Sequence, residues 1–258
     1  MTTISLTVVT KNEAHNIAAC ITSAPFVDQV IVLDSGSTDG TLEVAQAHGA
    51  QVLRSTDWRG FGIQKNRALD SATGVWILSL DADERLTPAL ALEIRDCISQ
   101  AEKSSLAVVL AIPRLTNFCG TWIRYCGWTP DYVIRVFKRG SATFSDDLVH
   151  ERLMFDEKTT QVLRLKNPML HYSYPNPGVL WSKLEKYSLD WATQKHAEGQ
   201  TTTVLRAGLS AAAAFVKSYV FRLGFLDGAM GFAVCAAQAQ FAFGKYFQLY
   251  CLSQKGKG

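Results

Sequence analysis

Three carboxylates, Asp81, Asp83 and Glu84, crowd the end of the apolar run WILSL (76–80). A second run, QVIVLD (29–34), ends in Asp34, and Asp39 follows it. Carboxylates packed this closely repel, and burying them unpaired is costly, so something cationic belongs among them. Oxygen-only donors favour Mg²⁺ or Mn²⁺, ions that keep part of their shell for water and phosphate oxygens. An Asp-x-Asp at a strand end therefore predicts a metal–diphosphate site. One carboxylate takes the ion, and the other reaches a ribose hydroxyl or a metal-bound water. The plainer alternative is a solvated loop whose acids pair with Arg85. The preceding strand and the second acid cluster favour the site. SGSTDGT (35–41) lacks the GxGxxG and GxxxxGK[ST] signatures, so no glycine cradle holds the phosphates.

The elements that must position these acids alternate. ISLTVVT (4–10), QVIVLD (29–34), 50–55, 75–81 and 106–113 are β-branched or apolar and of strand length. Between them the pattern predicts helices over 13–24 with Asn12 as N-cap, over 37–49 with Thr38 or Asp39 as cap and Gly49 as its end, and over 60–72 closed by Gly74. A fourth helix, 87–99, opens Thr-Pro, with Pro88 at its first position. Strand–helix alternation at this spacing predicts an α/β fold with a mainly parallel sheet flanked by helices. Ligands of such sheets bind beyond the carboxyl ends of the strands, so Asp34 and the Asp81 group should face one crevice. Residues 113–177 mix tryptophan, tyrosine and basic residues with short β patterns, and 178–258 reads as helical. Three regions result: 1–112, an alternating α/β core; 113–177, a smaller mixed β region over the sheet's active edge; and 178–258, a helical C-terminal region.

VVTKNEAHNI (8–17), VLDSGSTDGT (32–41), QKNRAL (64–69) and LDADE (80–84), in that order, resemble the nucleotide-sugar domain of family 2 glycosyltransferases, the Rossmann-like GT-A fold. The resemblance covers residues 4–112. It implies that Thr10 and Glu13 line a nucleoside pocket, that Asp34 contacts the base with Asp39 nearby, and that Lys65 and Asn66 lie near the nucleotide. It makes Asp81 and Asp83 together the metal and ribose acids, both candidates for the ion, with His171 an additional metal ligand or a packed core histidine. The implied donor is a UDP-sugar, and the implied chemistry is inverting. An acceptor hydroxyl then needs a general base from beyond residue 112. FSDDLVHERL (144–153) offers Asp146, Asp147, His150 and Glu151, of which Glu151 is favoured and Asp147 second. GWTPDYVIRVFKR, DDLVHERL, LHYSYP and AQAQFAFGKYFQLY extend the similarity to lipopolysaccharide inner-core β-glucosyltransferases, which add glucose to a heptose. Trp122, Tyr125, Trp128 and Tyr132 are candidates to stack on sugars, and Arg135 and Lys138, read as sharing one strand face, could meet phosphate.

The formal charge of +3 hides an asymmetry: residues 1–150 carry 13 Lys+Arg against 16 Asp+Glu, and 151–258 carry 13 against 7. The basic residues are scattered and no aromatic–basic RNA motif occurs, which argues against nucleic acid. An anionic acceptor, or an anionic membrane surface, suits a basic tail better, and the resemblance implies a lipid-linked oligosaccharide as that acceptor. The six cysteines form no CxxC pair, and the N-terminus has no secretory pattern, so a cytoplasmic protein is expected. The uncharged stretch 228–244 is 17 residues long and shorter than the about 20 that a span needs. Helices lying peripherally on the inner membrane, or packed on the rest of the chain, are expected instead. Competing functions are transfer to another glycan or to a polyprenyl phosphate, and a non-catalytic nucleotide- or glycan-binding module.

Overall fold

The computed structural model describes residues 2–104, 106–146 and 151–255. The chain order is β1 (Ile4–Thr10), α1 (Ile17–Thr22), β2 (Gln29–Asp34), α2 (Thr41–Ala47), β3 (Gln51–Arg54), α3 (Phe61–Asp70), β4 (Trp76–Asp81), β5 (Glu84–Arg85), α4 (Pro88–Ala101) and β6 (Ala107–Phe118). Then come β7 (Thr121–Ile123), β8 (Asp131–Lys138), β9 (Ala142–Phe144), β10 (Leu153–Phe155), β11 (Thr160–Arg164), β12 (Met169–Tyr174), α5 (Pro177–Ala197), α6 (Val204–Val216) and α7 (Gly228–Lys255). The chain forms two compact units, Met1–Arg114 with Asp131–His171, and Leu115–Pro130 with Tyr172–Gly258. These boundaries run differently from the three regions drawn on the sequence, because 131–171 packs into the first unit.

The fold is α/β, with the expected sheet flanked by helices. Strand order is β3-β2-β1-β4-β8-β6-β12-β5, with β11 and β7 also on β6. β3, β2, β1 and β4 are mutually parallel. β8 enters antiparallel between β4 and β6, so β6 does not follow β4 directly as simple βαβ winding would have it. The central strands read as unbroken apolar runs because both faces are covered. Trp76, Leu78 and Leu80 of β4 bury with Ile17 and Ile21 of α1 and Leu90, Ile94 and Ile98 of α4. Ile77 buries on the opposite face with Ala68 of α3, Phe137 of β8 and Phe144 of β9.

Local starts differ where longer-range bonds prevail. Asn12 does not cap α1. It takes φ 57°, and its Oδ1 accepts from the Thr38 amide at 2.9 Å, tying the loop after β1 to the loop after β2. The helix after β2 begins only at Thr41, behind Gly40. Thr87 caps α4 as expected, its hydroxyl accepting from the Leu90 amide at 3.1 Å.

In the second unit, α5 and α6 pack on α7. Phe118, Ile123, Cys126, Leu180, Val234 and Cys235 form its core. Among the described residues, the stretch long and apolar enough to cross a bilayer is Val204–Phe221, not 228–244, which lies inside α7.

The approach of α3 to the end of β9 rests on a missing side chain. A Cβ at Gly62 would lie 1.8 Å from the Ser145 carbonyl oxygen and 3.4 Å from the Glu151 Cβ. Gly62→Ala must push backbone against backbone. It should lose about 1–3 kcal/mol of stability, as overpacking does, read by urea denaturation. A variant as stable as the parent would refute this packing.

Candidate active site

The parallel strands deliver the acids to one edge. Thr10 stands opposite Asp34 on one side of β1, and Val9 stands opposite Asp81 on the other. The three strand ends are therefore adjacent, as the strand-end rule requires.

Around Asp81 the charges are closely paired. Its Oδ1 lies 2.9 Å from the Lys65 Nζ, and its Oδ2 accepts from the Arg135 Nη2. The same Nη2 lies 2.5 Å from the Glu84 Oε1, and the Glu84 Oε2 accepts from the Asp81 amide at 2.9 Å. Glu84 is fully buried, Lys65 is 4% exposed and Arg135 5%. Burial opposes the charge on Asp81, yet Arg135 and Lys65 outweigh it and hold that carboxyl well below its ordinary value. Burial pushes Glu84 up, against the pull of Arg135. The guanidinium would itself lose charge on burial, and the two acids reverse that and raise it. The cation expected among the acids is thus supplied, at Asp81 and Glu84, by protein side chains.

Lys65 also reaches across to the acceptor-side candidates. Its Nζ lies 2.9 Å from the Glu151 Oε1, and it sits 5.3 Å from the centre of the Phe144 ring. Of the four base candidates, Glu151 is half-buried and joined to the donor-side acids through Lys65. Asp146 is exposed. Asp147 and His150 lie outside the described residues.

Asp83 has a different partner. Its Oδ2 lies 3.3 Å from the His171 Nε2. β12 brings His171 there by pairing with β5, where His171 stands opposite Glu84. Burial raises Glu13, an Asn16 hydrogen bond offsets part of this, and the charge of Asp83 adds to the rise. Among the described residues no three His, Cys, Asp or Glu side chains converge as a metal site. One carboxylate oxygen beside one imidazole nitrogen fits a divalent ion that takes its remaining ligands from phosphate and water. Asp81, expected to share that ion, has both oxygens on cations instead.

The remaining predicted residues divide. Asp34 is buried, and its oxygens accept from the Gly36 amide at 2.9 Å, the Ser37 amide at 3.0 Å and the Ser37 hydroxyl, so it shapes its own loop. Asp39 accepts from the Thr41 hydroxyl and amide and from the Ala14 amide, and these bonds lower its pKa, the hydroxyl most. The Thr10 hydroxyl is buried without a hydrogen-bond partner among the described residues. Asn66 clamps the backbone of Phe144, donating to its carbonyl and accepting from its amide, each at 2.8 Å. Both polar ends of that amide are therefore already engaged, which makes it a brace for β9. Arg135 is the extra residue at a bulge of β8, where Val136 and Ile134 pair with the successive residues Leu110 and Ala111, so strand alternation does not set Arg135 and Lys138 on one face. Lys138 pairs with Glu102 at 2.9 Å instead of joining Arg135. Trp128 packs against Phe118 and Tyr174, Trp122 against Tyr172, and Tyr132 against the Arg164 guanidinium. Glu84 and Gln64 were missed as organisers. The Gln64 Nε2 donates to the Ser35 Oγ at 3.2 Å and the Ser55 carbonyl at 3.0 Å. Only its place beside Lys65 in QKNR hinted at this.

Comparison with known proteins identifies the family. The model of the family described as "Glycosyl transferase family 2" matches residues 5–169. An uncharacterized glycosyltransferase of Rickettsia prowazekii is 28% identical over 256 residues, covering 96% of this chain and 86% of its own. The lipopolysaccharide core biosynthesis glycosyltransferase LpsC of Rhizobium meliloti is 26% identical over 269 residues, covering 98% of this chain and 94% of its own. Among solved structures, glucosyl-3-phosphoglycerate synthase of Mycobacterium tuberculosis, in complex with Mn²⁺, UDP and phosphoglyceric acid, is 26% identical with a TM-score of 0.37, over 46% of this chain and 44% of that one.

Arg135→Met tests the acid cluster. It leaves Asp81 and Glu84 short of a buried cation, and should cost about 3–5 kcal/mol near neutral pH. In the parent, the lowered pKa of Asp81 makes its contribution full at neutral pH and lost only as pH falls through that low value. In the variant Asp81 keeps Lys65, but Glu84 loses the cation that opposes its burial and gains a proton on folding, so stability rises as pH falls. The gap between the two proteins should therefore narrow from about pH 7 to about pH 5. A gap independent of pH in denaturant titrations would refute the pairing.

Proposed function

The chain belongs to glycosyl transferase family 2, and from that membership we propose an inverting, metal-dependent hexosyltransferase that moves glucose from UDP-glucose to a heptose of the lipopolysaccharide inner core. The observation that carries the reading is the division of the Asp-x-Asp pair. Asp81 is held by Lys65 and Arg135, while Asp83 stands beside His171. Asp83 and His171 would hold Mn²⁺ or Mg²⁺. When bound, that ion would neutralise the leaving diphosphate as a Lewis acid.

The chain's own residues do the rest. Thr10 offers its buried, unpartnered hydroxyl to the nucleoside, and Asp81 accepts from the ribose at the rim of its ion pairs. The acceptor oxygen attacks the anomeric carbon as the bond to the UDP oxygen breaks, and the configuration inverts. Glu151 takes the proton of the acceptor hydroxyl. Its Oε1 is held by Lys65, which leaves Oε2 to receive that proton. Lys65 thereby fixes the base relative to Asp81. The likeness to LpsC along nearly the whole chain supports a lipopolysaccharide-core acceptor. A lipid-linked oligosaccharide of that kind places the enzyme in the cytoplasm, peripherally at the inner membrane.

UDP should raise the melting temperature only with Mn²⁺ or Mg²⁺ present, and Asp83→Ala should abolish both that shift and transfer while melting like the parent without ligand. A shift independent of metal would sink the Asp83 assignment. Glu151→Gln should lower kcat by roughly 10²–10⁴-fold at saturating donor, the range of general-base losses, with the product on a truncated heptose-containing core read by mass spectrometry. Unchanged turnover would remove Glu151 from the mechanism.

A further inference from the structure

The second unit leaves an apolar surface uncovered on α6. Leu205 is 72% exposed and Leu209 62% exposed. With the exposed Val216 and Val220 they recur at helical spacing along one side. Phe221, Leu223, Phe225 and Leu226 continue the exposed patch past the helix end. The other side of the helix is occupied. Ala207 and Ser218 are buried, and Phe215 and Tyr219 pack against Phe232 of α7. Of the stretch Val204–Phe221, only 11% is buried. An apolar face of this extent marks an interaction surface.

Charge identifies the occupant. Arg206, Lys217 and Arg222 lie along the same stretch, and all three are exposed, Arg206 with its guanidinium also 5.3 Å from the centre of the Tyr246 ring. Residues 201–258 hold six Lys+Arg and one acid, Asp227. That acid is engaged by the backbone, accepting from the Arg124 amide at 3.1 Å and the Tyr125 amide at 2.8 Å. A second copy is a poor partner, because a two-fold interface sets the same patch against itself and would oppose like cations with no acid between them. An anionic bilayer suits both features, since lipid tails accept the apolar stripe and headgroups the flanking cations.

We infer that α6 and the turn after it, from Val204 to Leu226, form a membrane-docking surface that lies in the interface of an anionic bilayer. The helix does not span it. Protein already occupies one side, and Arg206 sits in its first turn with Lys217 just past its last. This deepens the peripheral placement proposed above and rests on it, but the vesicle assay needs neither donor nor acceptor, so the two ideas fail separately.

Full-length protein should float with vesicles of phosphatidylcholine and phosphatidylglycerol at low salt, and far less with phosphatidylcholine alone. Arg206→Gln/Lys217→Gln/Arg222→Gln should weaken partitioning roughly 100-fold, from the contribution of each charge near a headgroup surface. Leu205→Gln/Leu209→Gln/Phe221→Gln should do the same while melting like the parent, because all three side chains are exposed. Parent protein that ignores anionic vesicles would overturn the inference, as would an apolar variant that binds like the parent. So would a parent dimer, seen by sedimentation velocity, that the apolar variant splits while vesicle binding is unchanged. Vesicle binding without glucosyl transfer to a heptose core would uphold the surface and sink the acceptor reading.

Discussion

One buried lysine ties the first unit's chemistry together. The Lys65 ammonium is almost wholly removed from solvent and lies 2.9 Å from both Asp81 and Glu151. An ammonium cannot be buried without partners, and neither can the acids it meets. The position of each therefore requires the others. Asp81 arrives from β4, Lys65 from α3 and Glu151 from the segment leading into β10. Arg135 extends the same logic to β8. Registered beside β4, with Val136 opposite Leu78, β8 can send a guanidinium to Asp81 and Glu84. The antiparallel insertion that interrupts parallel winding is the one that supplies this second cation.

α3 distributes its contacts in the same economical manner. Successive residues of a helix point about 100° apart, so four neighbours can serve four directions. Gln64 braces the loops after β2 and β3. Lys65 holds the acids. Asn66 clamps the backbone of Phe144, and Arg67 binds the Ser55 hydroxyl at 2.6 Å and the Asp57 carbonyl at 2.8 Å. The helix can approach these partners because Gly62 presents no side chain to Ser145. An amphipathic reading of this segment sees a polar face, whereas the structure uses that face as an interior.

What was legible in the sequence follows from range. Strands β1, β2 and β4 and the Thr87 cap depend on local pattern, and each appears within a residue or two of its expected place. The strand-end position of Asp34 and Asp81 follows from the same pattern. The partners do not. Arg135 lies 54 residues from Asp81, Glu151 lies 86 from Lys65, and Phe144 lies 78 from Asn66. No spacing rule links them, and the resemblance that sets Asn66 near the nucleotide carries no sign of its clamp on Phe144. Asn12 shows the converse, for a good cap type was taken by a loop 26 residues away. In the tail, composition exposed the charge bias, but only burial separates the uncovered α6 from the packed part of α7.

The division of labour within Asp81-Ala82-Asp83 comes from its surroundings. Ala82 is buried in the main core, so the two flanking acids both emerge from it. Two chemically equal carboxylates then meet different neighbours. Asp81 faces Lys65 and Arg135 and stays ionised at low pH, already neutralised by protein charge. Asp83 faces His171, carried in by the short β5–β12 pairing. A carboxylate whose oxygens are engaged by two cations has little left to offer a further cation, whereas Asp83 meets a single imidazole nitrogen. Environment, not residue type, makes the two carboxylates unlike, as environment does for paired carboxylates in general.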